Sequence, residues 1–162
     1  MHSEIWTRLS EMRDAGALME IDTLVWDVCN TPAERVIWDS REQYLQGCPP
    51  GNQIVAGMGN RICGYLGFKS PTSLPSNGHV YELNIAVHPD YQGCGIGHKL
   101  MDAVKVVAAE RGIRKLSLRV LASNAGAVAF YQSCGFIEQG RLVDEFYLNG
   151  QYVDDILMWR KV

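Results

Sequence analysis

The segment Gln92-Gly93-Cys94-Gly95-Ile96-Gly97 constrains this chain more than any other stretch. Before it, Leu83 to Val87 has strand character. After it, about His98 to Arg111 reads as a helix, with Ile96, Leu100, Val104, Val107 and Ala108 on one apolar stripe and Lys99, Asp102 and Lys105 on the other face. Beyond Gly112, Leu116, Leu118 and Val120 alternate with Ser117 and Arg119, which is strand periodicity. Strand, glycine loop, helix and strand make a βαβ unit, so the two strands are expected to be parallel neighbours joined by a right-handed crossover. The glycines also carry a chemical expectation. Without Cβ atoms, three backbone N–H groups can approach a ligand closely. A helix N-terminus adds unsatisfied donors and the positive end of its dipole. That is an anion site suited to a diphosphate, and it points to a nucleotide-bearing cofactor.

The rest of the chain reads as follows. Ile5 to Leu9 suggests an edge strand. From Ala15, the residues Leu18, Ile21, Val25 and Val28 recur at helical spacing until Thr31-Pro32. Ser40 to Leu45 reads as a short helix with Ser40 as N-cap, and Cys48 to Asn52 is a break. Gln53 to Gly57 and Arg61 to Phe68 flank Met58-Gly59-Asn60 as a hairpin, and Ser70 to Gly78 is loop. Val80 to Val87 is a strand stopped by Pro89, and Ala125 to Cys134 a short helix capped by Asn124 and ended by Gly135. Phe136 to Leu148 and Tyr152 to Trp159 flank Asn149-Gly150, a strong hairpin signal.

At 162 residues, 47% hydrophobic and 20% charged, the chain is expected to form one domain over 1–162 with a substantial core. No apolar run approaches the roughly 18 residues that span a bilayer, and Met1-His2-Ser3-Glu4 shows no basic start or apolar run of a secretory signal. A net charge of -3 without a Lys/Arg cluster speaks against nucleic-acid binding. Five scattered cysteines without CxxC spacing read as reduced thiols in a cytoplasm, and four separated histidines give no metal site.

A glycine-rich loop alone is a weak signal. In a Rossmann fingerprint the third glycine comes one residue later than Gly97, and the following strand carries a carboxylate, which Lys115 to Leu121 lacks. A P-loop needs G-K-[ST], which is absent. The run instead resembles motif A of the GNAT acetyltransferases, Q/R-x-x-G-x-G/A, through Gln92, Gly95 and Gly97. Ile85 to Tyr91 resembles the strand and turn that lead into it. Asn124, Ala127, Phe130-Tyr131 and Cys134-Gly135-Phe136 resemble the family's motif B. The likeness runs from about Gln53 onward, and the first 50 residues match only in general form.

The resemblance implies an α/β fold, the GNAT acyl-CoA N-acyltransferase fold: a mixed sheet of six or seven strands flanked by about four helices. It divides the chain into an acceptor-side part (about 1–52), an acetyl-CoA-binding core (80–136) and a C-terminal hairpin (136–162). The parallel strands would splay at their C-terminal ends. Pantetheine of acetyl-CoA would lie between them on backbone groups of Ile85, Ala86 and Val87, with the pyrophosphate on the N–H groups of Gln92, Gly93, Cys94, Gly95, Ile96, Gly97 and His98. The expected activity is N-acetyl transfer to a primary amine of a small molecule or peptide, with no metal, nucleic acid or membrane involved. A homodimer is compatible with it.

Acetyl transfer to an amine requires a neutral nucleophile, a donor for the developing oxyanion and a proton for the departing thiolate. By resemblance, Tyr131 is the general acid, and the Val87 N–H is the oxyanion donor. Asn124 and Tyr131 are seven residues apart, so they face one side of a helix. Glu82 is the best carboxylate for a general base, although strand parity leaves open whether it faces the acceptor; deprotonation through water to bulk is the alternative. Where some relatives place a glutamate five residues before the asparagine, this chain has Arg119. His79 as a proton relay, Asp154 or Asp155 facing a cationic amine rather than serving as an edge charge, and Trp6, Trp26 and Trp38 lining an acceptor pocket are weaker expectations. Cys94 is expected to have no catalytic role. Two other functions stay open: a non-catalytic acyl-CoA-binding regulatory module, and an aminoacyl-tRNA-acetylating toxin.

Overall fold

The computed structural model describes residues 4–33 and 35–162. The reading of Met1, His2 and Ser3 lies outside the described residues. Seven strands, β1 (Ile5–Leu9), β2 (Gln53–Met58), β3 (Arg61–Lys69), β4 (Val80–Val87), β5 (Lys115–Leu121), β6 (Ile137–Leu148) and β7 (Gln151–Lys161), form a mixed sheet in the order β1-β2-β3-β4-β5-β7-β6. Only β4 and β5 run parallel; the other neighbours are antiparallel. Four helices accompany the sheet: α1 (Ala15–Val25), α2 (Arg41–Gly47), α3 (Ile96–Glu110) and α4 (Ala125–Ser133).

Local chemistry sets the element ends. Gly95 caps α3 with φ 89°, a left-handed conformation that strains residues bearing a Cβ. Ser40 accepts from the Gln43 N–H at 3.0 Å at the head of α2, and Asn124 accepts from the Ala127 N–H at 3.3 Å at the head of α4. Asn149 and Gly150 both take positive φ, 53° and 80°, as a type I′ hairpin requires.

Two expectations are corrected. The first helix stops at Val25 and does not reach Val28. Asp27 accepts from the Cys29 N–H and Asn30 accepts from the Asp27 N–H, so side chains divert the backbone into a turn. Val28 instead packs with Leu121, Leu148 and Val153. The second correction concerns Asp154 and Asp155. Their strand, β7, lies inside the sheet between β5 and β6, so neither is an edge charge.

Each sheet face has its own core. Leu66, Leu83, Leu116 and Leu118 pack against Ile96, Leu100 and Val104 of α3. Val55, Tyr65 and Ala86 pack against Leu18, Ile21 and Tyr44 from α1 and α2. Leu83 and Ala86 of one strand therefore serve opposite faces. By alternation Glu82 and Asn84 share the α1 face with Ala86, which resolves the strand parity.

Candidate active site

β4 and β5 are paired only at Val80 with Lys115, Tyr81 with Leu116 and Glu82 with Ser117. Past that point β4 continues against β3 as far as Val87, and β5 continues against β7 as far as Leu121. The strands part because each follows its antiparallel neighbour. The gap widens into a cleft of about 860 Å³.

The ladder shows which backbone groups face this gap. The His88 N–H bonds the Cys63 carbonyl on the β3 side at 2.8 Å, whereas the His79 carbonyl accepts from Arg114 on the β5 side at 2.8 Å. Alternation turns the backbone of Leu83, Ile85 and Val87 toward the gap and that of Ala86 toward β3. Ala86 thus leaves the expected backbone trio, although it still lines the cleft.

The glycine loop forms the cleft's mouth through Gln92, Gly93, Gly95, Ile96, Gly97 and His98. Cys94 is not among the lining residues; its Sγ lies 3.9 Å from the Gln92 carbonyl. Gly93 takes φ 78°, and the first N–H groups of α3 have no intrahelical acceptor. Gly97 is needed for a different reason. A Cβ there would stand 2.8 Å from the Phe130 ring, so this glycine lets α3 and α4 approach. His98 meets Phe130 edge-on, with centroids 5.0 Å apart.

Asn124 and Tyr131 both line the cleft from α4. Because the Asn124 Oδ1 is used as helix cap, its amide N–H groups are left for a ligand. The half-buried Tyr131 ring packs between Phe130 and Phe136, at centroid distances of 5.5 and 6.1 Å. Burial pushes its phenol up to about 12, and Cys134 adds in the same direction. The hydroxyl therefore keeps its proton throughout the neutral range.

Glu82 sits in the last β4–β5 pair, below the opening, and does not line the cleft. Asn84, the next residue on that face, does. Among the described residues no carboxylate lines the cleft. His79 is exposed and outside it, and His88 accepts from the Asp90 N–H at 3.1 Å as a turn cap.

Trp26, Asn30 and Arg119 also line the cleft. Asn30 gave no distinctive signal in the sequence, and Arg119 was visible only as a departure from the family pattern. Trp26 is held from behind by a buried group. Asp22 accepts from the indole N–H of Trp26 at 2.9 Å and of Trp38 at 2.7 Å, and from the Tyr65 hydroxyl. Trp38 thus supports the cleft without lining it. Trp6 lies elsewhere, donating to the Gly59 carbonyl at 2.9 Å. Asp155 is buried and binds Arg119, with the guanidinium Nε and Nη2 both 2.5 Å from its Oδ2. Asp154 binds Arg141 and the Asp144 N–H. Neither aspartate is therefore free to meet a cationic amine.

A parallel strand pair opened over a glycine-lined helix start is the architecture of an acyl-CoA-dependent transferase. Residues 17–136 match the model of the acetyltransferase (GNAT) family, and the chain belongs to that family. It is similar to the L-amino acid N-acetyltransferase AaaT of Escherichia coli, 28% identical over 98% of both chains. The spermidine N(1)-acetyltransferase of Vibrio cholerae is 38% identical over 45% of this chain, and the match spans 43% of that enzyme. The ribosomal protein bS18-alanine N-acetyltransferase of Escherichia coli is 49% identical over 35% of this chain and 38% of its own length. The chain thus spans less than half the length of those two relatives. Among solved structures, smu.2055 from Streptococcus mutans superposes with a TM-score of 0.84 at 30% identity, covering 96% of this chain and 98% of that one. The yncA protein of Salmonella typhimurium, solved with its cofactor acetyl-CoA, shares the fold at a TM-score of 0.83 and 22% identity, covering 98% and 94%.

Proposed function

We propose that this protein is an acetyl-CoA-dependent N-acetyltransferase that moves an acetyl group to a primary amine of a small molecule or peptide by direct attack. The observation that carries this reading is the parting of β4 and β5 beyond Glu82 and Ser117, directly below the glycine-lined start of α3. The residues present fit acetyl-CoA: unpaired strand edges suit an amide-bearing arm, and the left-handed glycines suit a diphosphate. When bound, acetyl-CoA supplies an acyl group activated as a thioester.

The chain's own groups have separable roles. The N–H groups from Gln92 to His98 bind the anion. Ile85 and Val87 present backbone groups to the arm, and the Val87 N–H serves the developing oxyanion. The Asn124 amide orients the arm. Tyr131 holds a proton at Oη for the departing sulfur, which a phenol pushed up to about 12 does throughout the neutral range. Glu82 acts at one remove, drawing the amine's proton through water along the strand face it shares with Asn84. The full-length likeness to an enzyme named for L-amino acids favours a small acceptor over a ribosomal protein.

The test is CoA release from acetyl-CoA with amino acids, polyamines, aminoglycosides and peptides as acceptors. Release that depends on a primary amine supports the reading. Tight acetyl-CoA binding with no release from any acceptor makes the protein a binding module instead.

A further inference from the structure

We infer that Arg119, fixed by Asp155, is the receptor for a carboxylate on the acceptor, so that the substrate is a small amino acid rather than a polyamine. This rests on the N-acetyltransferase reading above and names the substrate class of that site.

The placement follows from the strand pattern. Leu118 and Val120 of β5 are buried in the core beneath α3, so Arg119 between them projects to the opposite face. That is the face of α1, Trp26 and Asn84. Continuing the Glu82–Ser117 register by two residues sets Asn84 and Arg119 at one level, just past the last strand pair. Both line the cleft. The level is roughly 7 Å along β4 from Ala86, two strand residues away. An amine at the end of the cleft and an anion at Arg119 therefore fall within one small molecule.

The guanidinium is prepared for such a ligand. Of its five N–H donors, Asp155 takes the one on Nε in a hydrogen bond, and the same carboxylate oxygen stands 2.5 Å from Nη2 as an ion pair. Both N–H groups of Nη1 are left for a ligand, and the Arg119 side chain is 47% exposed while that of Asp155 is 5% exposed. Arginine held in place by a buried carboxylate loses little further freedom on binding and offers a planar fork to a two-oxygen anion. The charge of the cleft agrees. Arg119 is the permanent cation among the lining residues, its charge partly offset by Asp155 behind it, and no described carboxylate lines the cleft to neutralise a second positive charge on the substrate. A polyamine would bring like charge against Arg119, whereas an amino acid brings the opposite charge. The indole of Trp26, pinned by Asp22 and Tyr65, supplies an apolar wall on the same side.

The test compares the common L-amino acids with their amides and with the corresponding decarboxylated amines, on the full chain with acetyl-CoA. Acids should exceed amides in kcat/KM by about tenfold or more, the scale of a lost charge-assisted hydrogen bond. Arg119→Gln should bring the acid-to-amide ratio close to one, and Arg119→Lys should restore part of it. Since Arg119→Gln alone leaves Asp155 buried without a partner, the double variant Arg119→Gln/Asp155→Asn tests the same ratio in a repaired core. The acetyl-CoA KM should stay put in all three. Amides or simple amines turned over as well as acids would overturn the carboxylate assignment and leave N-acetyl transfer standing. So would a ratio unchanged in the double variant, or an effect confined to the acetyl-CoA KM. Absence of CoA release with every amine overturns both readings. Amino phosphonates tested beside the acids tell whether a tetrahedral oxyanion is accepted at Arg119; faster turnover of phosphonates than of acids overturns the carboxylate as its ligand.

Discussion

The two faces of the sheet are built on different principles. Beneath α3 the core is apolar throughout, with Leu66, Leu100, Val104 and Leu116 fully buried. On the α1 and α2 face a smaller core encloses a carboxylate, Asp22, whose hydrogen-bond partners are two indoles and a phenol. The apolar face positions backbone: it sets α3, and through α3 the glycine loop. The polar-centred face positions side chains: it holds the Trp26 indole against the cleft. Binding of a constant donor needs only backbone geometry, whereas choice of acceptor needs particular side chains.

The largest expected effect tests the chemistry where the two halves meet. Tyr131→Phe should lower kcat by about 10²-fold or more, the usual scale of a positioned acid, with acetyl-CoA affinity nearly unchanged by isothermal titration. Because the phenol is pushed up to about 12, no loss of its proton should limit the rate below about pH 10. The same shift has a stability sign. The folded value lies above the unfolded one, so Tyr131's contribution is complete below about pH 10 and fades as pH rises through about 12. An unchanged kcat in the variant would remove Tyr131 from the mechanism.

Next comes the acceptor face. Asp22→Ala strands the Trp38 indole N–H and the Tyr65 hydroxyl proton, leaves the Trp26 indole only the Tyr65 oxygen as acceptor, and should cost about 3 kcal/mol in chemical denaturation. In the folded fraction the acceptor KM should rise while the acetyl-CoA KM holds. A rise in the acetyl-CoA KM alone would break the division between the faces. The smallest effect falls on the donor side. Gly95→Ala forces a Cβ into φ 89°, at roughly 1–2 kcal/mol, and should raise the acetyl-CoA KM and leave the acceptor KM near its original value.

The same division governs what could be read from the residues alone. The donor side is local chain: the spacing of Gly93, Gly95 and Gly97, the cap at Asn124 and the βαβ order all sit within one continuous segment. The wall proposed to meet the acceptor is assembled from distant pieces, Asp22 with Tyr65 and Arg119 with Asp155, 43 and 36 residues apart, and no periodicity announces such pairs. The direction of Glu82 was illegible because β4 is covered on both faces, which leaves buried Leu83 and buried Ala86 without contrast. Its distance from the cleft depends on where the strands part, and that is decided by their outer neighbours. The apolar period predicts too long an α1 because Val28 continues it, while the Asp27 and Asn30 side chains end the helix.

The short β4–β5 seam has a mechanical consequence. Among the described residues, three residue pairs and the adjoining bonds to the His79 carbonyl stitch the β1-β2-β3-β4 half-sheet to the β5-β7-β6 half along the backbone. A ligand whose amides bond across the gap would act as a missing rung, and the two halves would stiffen together when it docks. Amide exchange at Ile85, Val87 and the facing end of β5 should slow on docking more than exchange elsewhere in the sheet. The melting temperature should climb with acetyl-CoA concentration by mass action, the folded state gaining about 2.7 kcal/mol at a hundredfold excess over Kd.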